Sequence, residues 1–144
     1  MTTAIHRMVA ACRAGTHAPL IVRMSSGWAV MGNSQFLRGY SLLLPDPVVP
    51  HLNAMTVDLR NRFLADMGAL GDAVLAATGA LRINYAMFGN VEPALHAHVI
   101  PRFTDEPEAM RTAHPWAYDW NAAPQFDAAS HGALLASIRE HLAK

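Results

Sequence analysis

The sequence predicts one α+β domain with a mostly antiparallel sheet of about five strands and one long helix packed on one face. Two observations carry this. Leu59, Phe63, Met67, Leu70 and Val74 follow one another in steps of four and three, the period of a helix face. On either side of that segment, short apolar runs broken by Gly, Ser, Asn and Pro read as strands and turns.

Taken in order, residues 4–14 read as a short helix ended by Gly15. Leu20 to Met24 and Gly27 to Met31 read as two hairpin strands, and Gly32-Asn33-Ser34 as a turn. Tyr40 to Leu44 is a third strand. Pro45-Asp46-Pro47 and Pro50 stop it, because proline cannot donate to a ladder. The long helix covers 56–78, with Thr56 as its cap, Asp58 at the positive end of the dipole and Gly79 just past its end. Gly68 and Gly71 mark places where it can approach a sheet closely. Arg82 to Phe88 and Leu95 to Ile100 read as strands joined by the turn Gly89-Asn90-Val91-Glu92-Pro93. The stretch Thr104 to Phe126 holds Trp116 and Trp120 among prolines and is expected to wrap over the body. Asp127 to Lys144 reads as a C-terminal helix, with Leu134, Leu135, Ile138 and Leu142 on one face.

The 144 residues fit a single domain, 1–144. Lys+Arg and Asp+Glu are equal at 11 each, which argues against a protein built to coat nucleic acid. Cys12 is the only cysteine, so no intrachain disulfide forms, which suits a reducing compartment. No signal peptide is evident, and no run approaches the ~18–20 apolar residues that span a bilayer. A cytoplasmic location without a membrane partner is therefore expected.

Chemistry concentrates at His96 and His98. On a strand from Leu95 to Ile100, side chains alternate, so Leu95, Ala97 and Val99 face one way and the two imidazoles share the other face. Such a pair can attack phosphorus covalently, move protons near neutral pH, or bind a metal. The metal reading lacks a third ligand at a convincing spacing. Taken alone, a His-x-His pair on a strand is more often two half-exposed histidines of no special role.

The surrounding residues change that balance. Gly89-Asn90-Val91-Glu92-Pro93-Ala94-Leu95-His96-Ala97-His98-Val99-Ile100-Pro101-Arg102 is similar to the signature of the histidine triad (HIT) superfamily, His-φ-His-φ-His-φ-φ with φ hydrophobic. Upstream, Arg38-Gly39-Tyr40-Ser41-Leu42-Leu43-Leu44-Pro45 resembles the family's Pro-Gly-His-x-Leu-φ-φ-Pro strand. The resemblance covers about 20–103, leaving 104–144 as tail and helix. It implies an HIT-like fold, a homodimer that joins two sheets, and a nucleotide or other small phosphate-containing ligand, with no cofactor and no metal. It implies that His96 is the nucleophile and that His98 stabilises charge on the phosphate. Ala94 stands at the first triad position and Tyr40 at the upstream histidine, which removes two donors from the phosphate site. The backbone carbonyl of residue 94 is still available to hold the far ring nitrogen of His96.

Other positions implied in substrate binding are Asn33 for the ribose, Tyr40 and Asn84 for phosphate, and Gly89 and Asn90 at the turn. Each has an ordinary structural alternative, such as turn asparagine or hairpin glycine. Arg38 and Arg102 read either as positive charge for the site or as surface solvation. Trp116 and Trp120 read chiefly as packing anchors. Two functions follow: a nucleotide hydrolase or transferase that cleaves a phosphoanhydride or phosphoramidate through a nucleotidyl-histidine, or a weakly active or inactive nucleotide-binding protein with a sensing or interaction role.

Overall fold

The computed structural model describes residues 2–144. Helix α1 (Ala4–Ala14) leads into strands β1 (Leu20–Arg23), β2 (Gly27–Met31) and β3 (Ser41–Pro45). The long helix α2 (Val57–Thr78) follows, then β4 (Arg82–Ala86), β5 (Ala97–Arg102) and helix α3 (Ala128–Leu142). All strand pairs are antiparallel, and the sheet order is β1-β2-β3-β5-β4. The α+β class and the five-stranded sheet are as the sequence predicts. No helix among the described residues is long and apolar enough to cross a membrane.

Local signals set most of the boundaries. Thr3 caps α1 through a reciprocal box: its side chain accepts from His6 N–H, and the His6 ring accepts from Thr3 N–H. Thr56 caps α2 by accepting from Leu59 N–H, and Gly79 closes it in the left-handed conformation. Asp127 caps α3 by accepting from Ser130 N–H.

The sheet is covered on both faces. On one, Ile21, Ala29, Leu43, Leu95, Ala97 and Val99 pack under Phe63, Leu70 and Val74 of α2 and Leu135 and Ile138 of α3. On the other, Val30, Leu42, Leu44 and Ile100 pack under Ile5, Val9 and Cys12 of α1. Gly71 lets α2 approach the sheet, since a Cβ there would overlap the Tyr85 hydroxyl. Gly68 meets no such neighbour, and its expected role in close packing is absent.

Other expectations need correction too, among them Pro45, which is the last paired residue of β3 and not its stop. Leu59 is 38% exposed, because the apolar stripe of α2 begins before the helix reaches the sheet. The strand expected over Leu95 to Ile100 runs instead from Ala97 to Arg102. Pro101 does not stop it, because β3 pairs with β5 only at Ala97, His98 and Val99; past that point only β4 continues alongside. β4 likewise ends at Ala86, two residues short of Phe88, which frees Phe88 to join the turn that follows.

Candidate active site

His96 precedes the first residue of β5, and its backbone is held from both sides. Leu95 N–H donates to Val49 O at 2.8 Å, and Ala97 enters the ladder opposite Leu43. The alternation survives across this boundary. Leu95, Ala97 and Val99 point to the α2 side, and the rings of His96 and His98 lie 4.9 Å apart on the other.

The two imidazoles are held in complementary forms. His96 Nδ1 lies 2.8 Å from the carbonyl oxygen of Ala94. A carbonyl only accepts, so Nδ1 carries a proton, and in the neutral ring the lone pair lies on Nε2. His98 Nδ1 lies 2.7 Å from the Tyr40 hydroxyl. Tyr40 is buried, which pushes its phenol well above the ordinary value, so it keeps its proton; among the described residues its hydroxyl has no other hydrogen-bond partner than His98 Nδ1, so the O–H donates there. His98 therefore presents Nε2–H as a donor. Burial, and secondarily the neighbouring His96, push the His98 pKa down to about 4, so the ring is a neutral donor near pH 7. One ring thus has Nδ1 tied to a carbonyl, and the other has Nδ1 tied to a hydroxyl.

Both histidines open onto a cavity of about 560 Å³. Its other walls are the turn Phe88 to Glu92 and, from the tail, His114 and Trp116. The tail also roofs His98. Trp116 meets its ring edge-on at 5.0 Å, and Trp120 lies at 6.1 Å. Trp120 in turn stacks on Phe36 at 3.9 Å. The positions implied in substrate binding are therefore divided. Gly89 and Asn90 border the His96 cavity. Asn33 lies in a separate cleft of about 210 Å³ with Met8, Tyr40 and Trp120. Tyr40 is 3% exposed and sits behind His98, where Gly32 makes room for its ring.

Asn84 is not beside His96. It pairs with Ile100, and its Oδ1 accepts from Arg102 Nη1 at 2.9 Å. Nor is Arg102 a solvated surface charge: it is 7% exposed. Its Nε and Nη2 donate to Glu106, while Nη1 and Nη2 also donate to the carbonyls of Ala113 and Met110 at 2.9 and 2.8 Å. Glu106 further accepts from Tyr118 O–H and Phe103 N–H, each at 2.7 Å. Arg102 is thus the clamp that fixes the tail over the sheet. Arg38 is exposed, with its guanidinium 5.2 Å from the Phe103 ring. Sequence reasoning missed Phe88 and His114 as cavity walls. Phe88 was hidden in a strand pattern, and nothing local marks His114.

Neither a family model nor a curated protein sequence matches the chain. Solved structures do. A histidine triad protein from Marinobacter aquaeolei matches with a TM-score of 0.77 at 17% identity, over 99% of this chain and 98% of that one. A histidine triad (HIT) protein from Sinorhizobium meliloti matches with a TM-score of 0.73 at 22% identity, over 85% and 87% of the two chains. A hypothetical histidine triad nucleotide-binding protein from Sulfolobus tokodaii matches with a TM-score of 0.74 at 14% identity, over 95% and 91%.

The chain has the histidine triad fold. On this histidine triad scaffold the two departures from the motif have structural causes. Ala94 is 1% exposed and belongs to the same buried cluster as Ile5, Val9 and Tyr40, so the space around position 94 is closed. Tyr40 spends its hydroxyl on His98, which turns an expected substrate contact into a support for the neighbouring ring. Among the described residues, no group of three or more His, Cys, Asp or Glu side chains is placed to hold a metal ion.

Proposed function

We propose that the protein is a nucleotide-binding hydrolase or transferase that works through a nucleotidyl adduct on His96. One observation carries this: the Ala94 carbonyl holds a proton on His96 Nδ1, which in the neutral ring puts the lone pair on Nε2 for attack on phosphorus. His98 Nε2–H stands beside it as a neutral donor to a phosphoryl oxygen. Phe88, Val91 and Trp116 add an apolar wall suited to a base or an aromatic leaving group. The substrate class is a phosphoanhydride or phosphoramidate of a nucleoside monophosphate.

A second reading is a nucleotide-binding protein with little or no turnover, used for sensing or for an interaction. The filled space at Ala94 favours it, because the first triad imidazole is missing and its place is closed. The exposed Leu81 and Tyr85 beside the edge strand β4 support a homodimer that extends the sheet, which light scattering at micromolar concentration would report as twice the monomer mass.

The test is mass spectrometry of the protein mixed with a nucleoside phosphoramidate. The adduct reading expects a nucleotidyl mass on wild type that is absent from His96→Ala. Tight nucleotide binding with no adduct and no turnover selects the second reading. Equal turnover by wild type and His96→Ala rejects His96 as the nucleophile.

A further inference from the structure

When the group leaving phosphorus is an amine, the reaction proposed for His96 needs a proton on it, and neither triad-strand histidine supplies it. His96 Nδ1–H is held by Ala94 O. His98 is a neutral imidazole kept so by burial and by its neighbour, and a neutral ring that gives up its remaining proton is a very weak acid. Glu92 borders the cavity, but its Oε2 accepts from Ala4 N–H at 3.1 Å at the start of α1. His51 meets His96 only in a smaller cleft of about 230 Å³ that does not include His98. Among the described residues, the imidazole that lines the cavity of about 560 Å³ together with His96 and His98 is that of His114.

We infer that His114, from the tail, is the proton donor to the leaving group and so supplies a catalytic imidazole that the motif lacks. The assignment rests on the reading of His96 as the nucleophile.

The support for His114 is rigid although the tail is irregular. Arg102 Nη1 donates to the carbonyl just before it, that of Ala113. His114 O accepts from Ala117 N–H at 2.9 Å, Pro115 is buried, and Pro115 O accepts from Trp120 Nε1 at 3.0 Å. A side chain on a backbone pinned on both sides is aimed better than one on a free loop. The ring itself is exposed, which leaves it open to exchange protons with water.

The steps balance. The Nε2 lone pair of His96 forms a bond to phosphorus as the bond from phosphorus to the leaving nitrogen or oxygen breaks. The electron pair of that bond goes to the leaving atom, which takes the proton of the His114 imidazolium. A water molecule then attacks the nucleotidyl phosphorus and gives one proton to neutral His114. The bond to His96 breaks with its pair returning to Nε2, and the product is a nucleoside monophosphate.

The experiment compares two substrates whose leaving groups differ in their need for a proton. An alkylamine leaving from a nucleoside 5′-phosphoramidate needs one; p-nitrophenolate leaving from a nucleoside 5′-(p-nitrophenyl phosphate) does not. For His114→Gln the expected result is a loss of kcat/KM of about 10²-fold or more on the phosphoramidate, the usual scale of general acid catalysis, and little change on the nitrophenyl ester. His51→Gln should leave both rates near wild type. Equal losses on both substrates, no loss on either, or a leaving-group-dependent loss in His51→Gln instead, each overturns the assignment while leaving His96 in place. No turnover and no adduct in wild type with either substrate overturns the reading of His96 and the role of His114 together.

Discussion

Replacing Arg102 by methionine tests whether the tail is an integral part of the domain. All five guanidinium N–H groups have partners: Nε on Glu106, Nη1 on Asn84 Oδ1 and Ala113 O, and Nη2 on Glu106 and Met110 O. The side chains of the pair are 8% and 4% exposed. Arg102→Met keeps most of the aliphatic volume but leaves the Glu106 carboxylate buried with only Tyr118 O–H and Phe103 N–H. Breaking one side of such a buried pair costs about 3–5 kcal/mol. The freed carbonyls of Ala113 and Met110 reach water if the tail loosens, so they do not add in full. Against the ~5–15 kcal/mol usual for a domain, this is about a fifth of the total or more. Urea denaturation followed by circular dichroism should give that loss, and tryptophan emission should shift red as Trp116 and Trp120 leave His98 and Phe36. Adding Glu106→Gln should recover about 0.5–3 kcal/mol by removing the orphaned charge. A loss below about 1 kcal/mol, or single and double variants that simply add, would refute the clamp.

Three further outcomes are expected. Ala94→His, which the motif alone suggests as a repair, should instead destabilise the fold by about 1–3 kcal/mol through overpacking against α1, read as a lower Tm with no gain in adduct formation. Tyr40→Phe should cost about 1–3 kcal/mol by leaving His98 Nδ1 unpaired, and ¹⁵N spectra should show the single Nε2–H tautomer of wild-type His98 give way to a mixture. For pH, unfolded His98 protonates near 6.5 but folded His98 only near 4, so the unfolded state binds more protons between them. Stability contributed by neutral His98 is therefore complete above pH ~6.5 and falls as pH drops toward ~4. His98→Gln should flatten that part of the stability curve, and an unchanged slope would count against a depressed His98.

The fold was largely legible in the residues because its signals are local. A cap at Thr56, a stop at Gly79, a 3.6-residue stripe from Phe63 to Val74 and the alternation Leu95, Ala97, Val99 each act within a few positions. The same alternation put His96 and His98 on one face, and the resemblance to the triad signature implied that the carbonyl of residue 94 holds the far ring nitrogen of His96. What the sequence could not decide depends on groups far apart in the chain. Tyr40 and His98 are 58 positions apart, and only the strand register brings hydroxyl and ring together. Where β5 begins, and whether Pro101 belongs to it, depends on where β3 stops pairing. Arg102 looks solvated in sequence because Asn84 meets it only across the β4–β5 pairing, and the carbonyls of Met110 and Ala113 only after the tail folds back. That folding also carries Trp116 over His98 and His114 into the wall of its cavity, a placement no periodicity records, since an irregular segment is positioned by its tertiary contacts and not by a repeat.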